Sequence, residues 1–327
     1  MIISWNTTRQ CNLQCRHCYR DAGERDRDEL SAQEGRLLLA EIARAGFRVV
    51  IFSGGEPLLR PDIYDLVQHA CRLGLRPVFG TNGTLITPRV AKELKKAGAA
   101  GMGISMDSML PEKHDALRGV SGAWQQAREG MENCRAAGLP FQIHTTVFAW
   151  NDHEFEAITD EAVRRGAVAH HVFFLVPTGR GKDMAQEALE KQRYERLLQR
   201  ILRKQQAVDI ELKPTCAPQF MRIAAQTGMN LRFHKGCLAG TAYCCITPRG
   251  DVHPCPYWPM NIGNVREKSF AEIWQSNAVF QRLRTEKLGG HCGTCRYAQK
   301  CGGCRARAYY YENGDYMAQD PWCLFRG

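Results

Sequence analysis

The chain has 327 residues, of which 44% are hydrophobic and 24% are charged, a composition typical of a globular protein with one large or two unequal domains. Trp5, Asn6 and Thr7 interrupt any apolar N-terminal run, and no apolar stretch approaches the roughly 20 residues of a membrane span, so we expect a cytoplasmic protein without a membrane partner. The formal net charge of +10 would suit a polyanionic small substrate, but no run of five Lys or Arg occurs, and we expect no nucleic-acid partner.

Strand and helix patterns alternate along the first two thirds of the chain. Six strands are predicted, over residues 2–7, 48–52, 77–80, 101–105, 141–147 and 170–176. The predicted helices cover residues 32–45, 63–73, 88–97, 124–137, 152–165 and 188–205, and the first begins at a capping box formed by Ser31 and Glu34. This alternation predicts an α/β fold with a parallel sheet, in which functional groups lie on loops after the C-terminal ends of the strands.

Fifteen cysteines is a high count, and in a reducing cytosol metal ligation explains them better than disulfides do. Cys71 and Cys134 lie within helical patterns, so we interpret both as core residues. The first three cysteines form a C-x3-C-x2-C motif, namely Cys11, Cys15 and Cys18. Three thiolates on one loop can hold three irons of a [4Fe-4S] cluster and leave the fourth iron open to a ligand that is not protein. The alternative is zinc, which would recruit His17 as a further ligand.

Polar segments follow several of the predicted strands. Gly54, Gly55 and Glu56 follow the second strand, where paired glycines let a backbone approach a ligand closely and Glu56 can accept a hydrogen bond from an ammonium group. The other candidates are Asn82 after the third strand, Ser105 and Asp107 after the fourth, Arg118 in a His-Asp-x-x-Arg-Gly motif, and Arg180 on a glycine-flanked loop. An arginine in such a place can clamp a carboxylate, whereas the alternatives are ordinary turns and surface salt bridges.

The cysteine motif with Tyr19 after it, together with Gly54-Gly55-Glu56-Pro57, resembles the radical S-adenosylmethionine (SAM) family. The resemblance implies a partial (β/α)6 TIM-like barrel and a cluster whose open iron binds SAM. One electron from the cluster then cleaves SAM to methionine and a 5′-deoxyadenosyl radical. By the same resemblance, the SAM-binding positions are Gly54, Gly55 and Glu56 for the amino group, Ser105 and Asp107 for the ribose, Arg118 for the carboxylate, and Asn82 by its place alone.

Composition changes near residues 206–215, so we predict a core domain of residues 1–210 and a small cysteine-rich domain of residues 211–327. The cysteine order in the second domain resembles the SPASM domain, and the resemblance implies two auxiliary Fe–S clusters of the [4Fe-4S] type. The resemblance assigns one cluster to Cys292, Cys295, Cys301 and Cys323, and the other to Cys237, Cys255 and Cys304. The fourth ligand of the latter is Cys216, Cys244 or Cys245, or the site stays open for substrate. Paired zinc sites are the alternative for the whole set.

Four further stretches, residues 5–9, 173–181, 215–218 and 301–308, resemble the tetrapyrrole-modifying branch of this family. That branch comprises the AhbC, AhbD and NirJ enzymes of alternative haem and haem d1 biosynthesis. The resemblance implies removal or oxidative decarboxylation of acetate or propionate side chains on a sirohaem-derived or coproporphyrin-type tetrapyrrole. It also implies an electron donor such as flavodoxin or ferredoxin.

Two other functions stay open at the level of the sequence. Some SPASM enzymes are peptide maturases, which commonly carry an N-terminal peptide-binding domain. The first cluster cysteine is residue 11, so no room for such a domain precedes it, and we count this against the commonest maturase layout. A non-catalytic Fe–S electron carrier would need no SAM pocket, and the Gly54-Gly55-Glu56 motif counts against that function.

Overall fold

Nine strands form one sheet in the computed structural model, which describes residues 1–326. They are β1 (Ile2–Thr8), β2 (Val49–Gly54), β3 (Arg76–Thr81), β4 (Gly101–Ser105), β5 (Phe141–Val147), β6 (Ala169–Phe174), β7 (Glu211–Thr215), β8 (Tyr243–Ile246) and β9 (Val252–His253). Their order across the sheet is β7-β6-β5-β4-β3-β2-β1-β8-β9. Neighbouring strands of the described chain pair in parallel except β8 and β9, which are antiparallel.

Helices connect successive parallel strands up to β7, and further helices lie in the C-terminal part of the chain. Those up to β7 are α1 (Ala32–Arg44), α2 (Ile63–Arg72), α3 (Pro88–Ala97), α4 (Pro111–Arg118), α5 (Ala123–Ala136), α6 (Phe155–Arg165) and α7 (Lys191–Gln205). Those after β7 are α8 (Gln219–Gln226), α9 (Phe270–Ser276), α10 (Ala278–Thr285), α11 (Gly290–Thr294), α12 (Ala298–Cys301) and α13 (Arg305–Tyr311). Within residues 1–326, no helix combines the length and the apolar character needed to cross a membrane.

Local sequence determines where the first helix begins. Ser31 Oγ accepts a hydrogen bond from Glu34 N (3.3 Å), and the Glu34 carboxylate accepts one from Ser31 N (2.7 Å). Two of the four free N–H groups at the helix start are thereby satisfied, which confirms the predicted capping box. The two helical cysteines differ in burial, because Cys134 is fully buried in α5 whereas Cys71 in α2 is half-buried.

The six predicted strands are β1 to β6, and the predicted α/β class with a parallel sheet is confirmed. The additional strands β7, β8 and β9 and the helix α4 were not predicted. Strand β7 contains Pro214, which cannot donate to a sheet and is tolerated here because β7 lies at the edge. One sheet therefore continues past residue 210 at both edges, through β7 beside β6 and through β8 beside β1. The division into residues 1–210 and 211–327 stays a prediction.

The two faces of the sheet have different surroundings, because alternate residues of a strand point to opposite sides. Trp5, Phe52 and Phe79 point toward the helices and belong to the main hydrophobic core. We define the inner face as the other side of the sheet. It carries Asn6, Ser53, Ser105, His144 and Cys245. Ser53, Ser105 and His144 keep part of their surface exposed although their strands are central in the sheet. The inner face is therefore the side that can receive a ligand.

A buried ion pair joins the C-terminal segment to α8, the helix that follows β7. Arg307 Nε donates to Asp320 Oδ1 (2.8 Å), and both side chains are fully buried. Asp320 also accepts from Cys304 N (2.7 Å) and from Gln219 Nε2 (2.7 Å), while Arg307 lies over the Trp322 ring. Burial alone would raise the pKa of Asp320, but Arg307 and these donors lower it to about 2. The carboxylate is thus charged and satisfied at the joint.

Replacing Asp320 by Ala should destabilise the protein strongly, because it leaves the Arg307 guanidinium buried without a counter-charge. Removal of one partner from a buried pair typically costs about 3–5 kcal/mol. We expect the midpoint of anaerobic thermal unfolding to fall by several degrees, measured by circular dichroism. The matched control is Asp26→Ala, which breaks the exposed pair with Arg249 and should change the midpoint little. Equal shifts in the two variants would contradict the assignment.

His170 should make the fold sensitive to acid. Its ring is fully buried between Thr159 Oγ1 and Thr145 Oγ1 (2.9 Å each), and burial lowers its pKa to about 3. A lowered histidine pKa contributes stability that is complete above the unfolded pKa of about 6.5 and is lost as the pH falls below it. We expect about 2 kcal/mol to be lost by pH 5.

The measurement is the unfolding midpoint at pH 7 and at pH 5 for wild type and His170→Gln. The loss on acidification should be smaller in the variant, because Gln carries no titratable ring. His234→Gln removes an exposed histidine and should leave the loss as in wild type. An unchanged loss in His170→Gln would contradict the prediction.

Candidate active site

The three N-terminal cysteines lie on the loop that follows β1, at the C-terminal end of the sheet, and we call residues 9–23 the cysteine loop. Each sulfur has an N–H group directed at it. Leu13 N approaches Cys11 Sγ (3.4 Å), Ala22 N approaches Cys18 Sγ (3.5 Å), and Arg118 Nη1 approaches Cys15 Sγ (3.8 Å). Donors of this kind stabilise thiolates and tune the clusters that thiolates bind. The donor set of the cysteine loop therefore fits an Fe–S cluster.

Burial opposes ionisation of the Cys11 and Cys15 thiols in the protein alone. It raises the pKa of Cys11 to about 11 and raises that of Cys15, although Arg118 partly offsets the effect at Cys15. Iron would supply the positive charge that favours the thiolates. Among the described residues, no three His, Cys, Asp or Glu side chains converge as they would around a single metal ion. The inference that an Fe–S cluster binds here therefore rests on the three cysteines themselves and on the N–H groups directed at their sulfur atoms.

The two predicted glycines let the end of β2 pass against the cysteine loop. A Cβ at Gly55 would lie 2.1 Å from Gln10 O, and one at Gly54, whose φ is +135°, would lie 2.4 Å from Thr8 O. The close approach allows Gly55 N to donate to Thr8 O (2.8 Å) and Glu56 N to donate to Gln10 O (2.7 Å). The structure places the close backbone contact at the residues that lead into Cys11.

Arg180 also holds the cysteine loop. Its Nε donates to Cys15 O (2.9 Å), its Nη1 donates to Ala22 O (2.8 Å), and its backbone N donates to Cys18 O (2.9 Å). The sequence suggested a clamp for a substrate carboxylate at this position. In the structure, the guanidinium is instead engaged by carbonyl groups of the loop.

Glu56 is fully buried beneath the turn that follows β3. Its carboxylate accepts from Thr81 Oγ1 (2.8 Å), from Asn82 N (2.9 Å) and from Leu58 N (3.2 Å). Burial raises its pKa to about 7, although these hydrogen bonds oppose the rise. Asn82 in turn donates to Asn12 Oδ1 (2.9 Å) on the cysteine loop. The two predicted positions are therefore connected to each other and to the loop.

The predicted Asp107 and Arg118 contact each other directly. Arg118 Nε donates to Asp107 Oδ2 (2.7 Å), and both side chains are buried, so the pair is no surface salt bridge. Thr146 N donates to the other oxygen of Asp107 (2.9 Å). Burial alone would raise the pKa of Asp107, but the Arg118 guanidinium holds it below its usual value. Ser105, the last residue of β4, is half-buried and donates to Thr81 O (3.4 Å).

Four cysteines of the C-terminal part line one cavity. They are Cys292, Cys295, Cys301 and Cys323, the set that the sequence assigned to one auxiliary cluster. Arg222 and His291 line the same cavity, and Arg222 Nε and His291 Nε2 are buried without a hydrogen-bond partner among the described residues. Orphaned donors beside four thiols fit a group with sulfur acceptors.

A second set of cysteines lies near Trp258, which is fully buried. Cys216 and Cys304 belong to one cluster of packed residues, and their interaction raises the pKa of the Cys216 thiol and lowers that of Cys304. Cys255 and Cys237 are near enough to Cys304 for its charge to raise their pKa values further, after burial. Trp258 Nε1 belongs to the same cluster of buried residues and has no partner in residues 1–326. These four thiols therefore form one group.

The remaining candidates for the fourth ligand lie elsewhere on β8. Cys244 points outward and is fully buried in the main hydrophobic core. Cys245 points to the inner face, where Arg20 Nη2 donates to its sulfur (3.0 Å). Of the three alternatives from the sequence, the structure brings Cys216 to Cys304.

Sequence reasoning missed a polar group on the inner face beside Cys245. It consists of Arg20, which follows the cysteine motif, His253 on β9 and Asn6 on β1. Tyr19 lies next to it, with its ring 5.1 Å from that of Tyr257. The position of Tyr19 and Arg20 directly after Cys18 was a signal in the sequence. The strands β8 and β9, which complete the group, could not be recognised in the sequence because they are only four and two residues long.

Two family descriptions match the chain. Residues 5–162 match the radical SAM superfamily, and residues 237–305 match SPASM, an iron–sulfur cluster-binding domain. The first match contains the cysteine loop and the segments after β2, β3 and β4. The second contains six of the seven cysteines that the sequence assigned to auxiliary clusters, all but Cys323.

Three relatives are similar along nearly the whole chain. An AdoMet-dependent heme synthase of Methanosarcina barkeri is 42% identical, and the match covers 99% of this chain and 96% of the relative. An Fe-coproporphyrin III synthase of the same organism is 32% identical, covering 98% and 87%. The mycofactocin maturase MftC of Mycobacterium ulcerans is 31% identical, covering 99% and 88%.

Solved structures share the fold. The SuiB protein of Streptococcus suis bound to S-adenosylmethionine superposes with a TM-score of 0.79 at 18% identity, covering 99% of this chain and 77% of that protein. At this identity the likeness concerns the fold alone.

Replacing Cys216 by Ala should remove one auxiliary cluster, because it deletes one of four grouped thiols. After anaerobic reconstitution, we expect iron and acid-labile sulfide to fall by roughly four atoms each per chain. The matched control is Cys244→Ala, which also removes a buried thiol of this region and should keep the full iron load. Retention of iron in Cys216→Ala with loss in Cys244→Ala or Cys245→Ala would overturn the grouping.

Proposed function

Because the chain belongs to the radical SAM superfamily and carries a SPASM domain, we propose that it uses SAM-derived radical chemistry to remove or oxidatively decarboxylate acetate or propionate side chains of a tetrapyrrole in haem biosynthesis. The observation that carries this proposal is the 42% identity to a heme synthase over 99% of the chain and 96% of the relative. Similarity of that extent leaves no large segment of either protein unmatched. An Fe-coproporphyrin III synthase, at 32% identity, supports the same class of substrate.

Cys11, Cys15 and Cys18 would hold the [4Fe-4S] cluster that binds SAM. When bound, the cluster and SAM supply the 5′-deoxyadenosyl radical. The protein fixes the three thiols beforehand through Arg180, which bonds two carbonyls of the cysteine loop, and through the backbone contacts at Gly54 and Gly55. Arg180 acts by positioning the thiols, and Gly54 and Gly55 also remain the predicted positions for binding the SAM amino group.

The buried acidic and basic groups near the loop have complementary tasks in SAM binding. Glu56 is a buried carboxylate with no cationic partner among residues 1–326, and its field favours a cation such as the SAM ammonium. Asp107 orients Arg118 through the buried pair, so that the guanidinium can serve Cys15 and the SAM carboxylate. Ser105 and Asn82 are the neighbouring groups that can bond the ribose or orient the turn.

The C-terminal cysteines would hold two auxiliary clusters. Support for the first comes from the cavity of Cys292, Cys295, Cys301 and Cys323. For the second, we assign Cys216 as the ligand that accompanies Cys237, Cys255 and Cys304. Such clusters can accept or deliver single electrons, which oxidative decarboxylation requires. An acidic electron-transfer protein such as flavodoxin or ferredoxin would serve as external donor.

A peptide maturase is the second candidate function. It is favoured by one observation, the 31% identity to the maturase MftC over 99% of this chain. That identity nearly equals the value for the coproporphyrin synthase, so the two classes of substrate are separated mainly by the heme synthase match.

The test is an anaerobic assay of the reconstituted, reduced protein with SAM, with and without iron coproporphyrin or didecarboxysirohaem. Mass spectrometry reads 5′-deoxyadenosine and the tetrapyrrole in the same run. We expect substrate-stimulated 5′-deoxyadenosine together with a matching loss of side-chain mass. The control variant Cys15→Ala should form neither product, because it lacks a thiol of the first cluster.

Other outcomes would overturn the proposal in distinct ways. SAM cleavage with an unchanged tetrapyrrole would reject the tetrapyrrole substrate and leave the maturase function. No cleavage from protein with a full iron load would leave a non-catalytic electron carrier.

A further inference from the structure

Arg20 lies on the inner face with only neutral groups around it. Its Nη2 donates to Cys245 Sγ (3.0 Å), and its Nη1 lies 3.3 Å from His253 Nδ1. With the Asn6 amide oriented so that its oxygen faces Arg20, this oxygen accepts a hydrogen bond from Arg20 Nε (2.6 Å). The partners of Arg20 are therefore an imidazole, a thiol and an amide, and none of them is a carboxylate. Burial raises the pKa of the Cys245 thiol, although Arg20 opposes the rise.

Other buried arginines of the chain have different partners. Four are paired with carboxylates, and the pairs are Arg60 with Asp62, Arg118 with Asp107, Arg222 with Glu195 and Arg307 with Asp320. Arg180 and Arg305 instead donate to backbone carbonyls. In residues 1–326, Arg20 has neither a carboxylate within 4.0 Å nor a backbone carbonyl acceptor, and it is half-buried rather than exposed. A guanidinium removed from water in this way is stabilised by an anion.

The position of Arg20 determines which anion can reach it. The residue follows Cys18 by two positions, and its guanidinium lies between β1 and the β8–β9 hairpin on the open inner face. The rings of Tyr19 and Tyr257 beside it offer an aromatic surface to a flat ligand. A carboxylate bound by the planar guanidinium would therefore stand next to the cysteine loop.

We propose that Arg20 binds a carboxylate of the substrate in a bidentate fashion and so places a carboxylated side chain beside the first cluster. This inference rests on the proposed function, because it takes the substrate to be a tetrapyrrole with acetate or propionate groups. Arg180, the arginine that the sequence suggested for this role, bonds backbone carbonyls of the cysteine loop. Arg20 acts in binding and selectivity for the acid form of the substrate.

The test is an optical titration of the reconstituted protein with iron coproporphyrin and with its tetramethyl ester in the same buffer. The ester keeps the ring and iron but lacks the negative charges. In wild type the acid should bind more tightly than the ester. Arg20→Gln should weaken binding of the acid about 10-fold to 100-fold, since a hydrogen bond to a charged group contributes about 1.5–3 kcal/mol and each 1.4 kcal/mol is tenfold. Binding of the ester should stay unchanged.

Two further variants make the test specific. Arg20→Lys keeps the charge but loses the planar fork, so its affinity for the acid should fall between those of wild type and Arg20→Gln. Arg89→Gln removes one positive charge at a side chain that is 80% exposed and should leave both affinities unchanged. Iron content and circular dichroism confirm that each variant is folded and loaded, and Arg20→Lys carries the comparison if Arg20→Gln does not fold.

Three outcomes would overturn the inference. Equal weakening of acid and ester in Arg20→Gln would mean that Arg20 makes no carboxylate contact. Unchanged titrations with a shift in the cluster reduction potentials, followed by electron paramagnetic resonance, would make Arg20 a counter-charge for the clusters. Wild-type protein that cleaves SAM but binds neither porphyrin would reject the proposed tetrapyrrole substrate itself, a failure distinct from the first two.

Discussion

The cysteine loop must hold three thiols in fixed positions, and much of the surrounding structure serves this constraint. A loop alone cannot do so. Its backbone groups would form hydrogen bonds with water, and ordering the loop would cost conformational entropy that no contact offsets. Here the loop receives bonds from three distant segments, through Glu56 after β2, Asn82 after β3 and Arg180 after β6. The sheet brings these segments to one edge because its strands are parallel. The loop is thereby ordered by contacts within the protein.

The same sheet connects the two cysteine-rich parts of the chain. Strand β8 lies beside β1 in parallel register, with Cys245 opposite Ser4 and Tyr243 opposite Ile2. The β8–β9 hairpin leads directly to Cys255, so the second group of thiols follows from the edge strand that adjoins the cysteine loop. A C-terminal segment attached by a flexible linker would not fix this relation. The shared sheet makes the relative position of the first and second thiol groups a property of strand pairing.

Sequence reasoning identified the repeating pattern and the spacing of the thiols, because both depend on local rules. The capping box at Ser31 and the four cysteines of the cavity are examples. It could not tell that Asp107 and Arg118 would face each other, since their pairing depends on how α4 packs above β4. The contacts of Arg180 and Arg20 could not be predicted from the sequence either. A glycine-flanked arginine can bond a ligand or a loop with the same chemistry, and only the positions of the carbonyls decide between the two.

Three buried arginines lie beside cysteines, and each is already balanced by a carboxylate. Arg118 lies beside Cys15, Arg222 beside Cys323, and Arg307 beside Cys304. Each of these arginines also has a carboxylate partner, so it contributes a dipole to the thiol group and no unpaired charge. An anionic cluster bound at such a site meets hydrogen-bond donors and a compensated charge, which lowers the cost of burying it. A guanidinium without its own carboxylate, as at Arg20, retains its full charge for an incoming anion, and the inner face is the place where a carboxylated substrate would meet it.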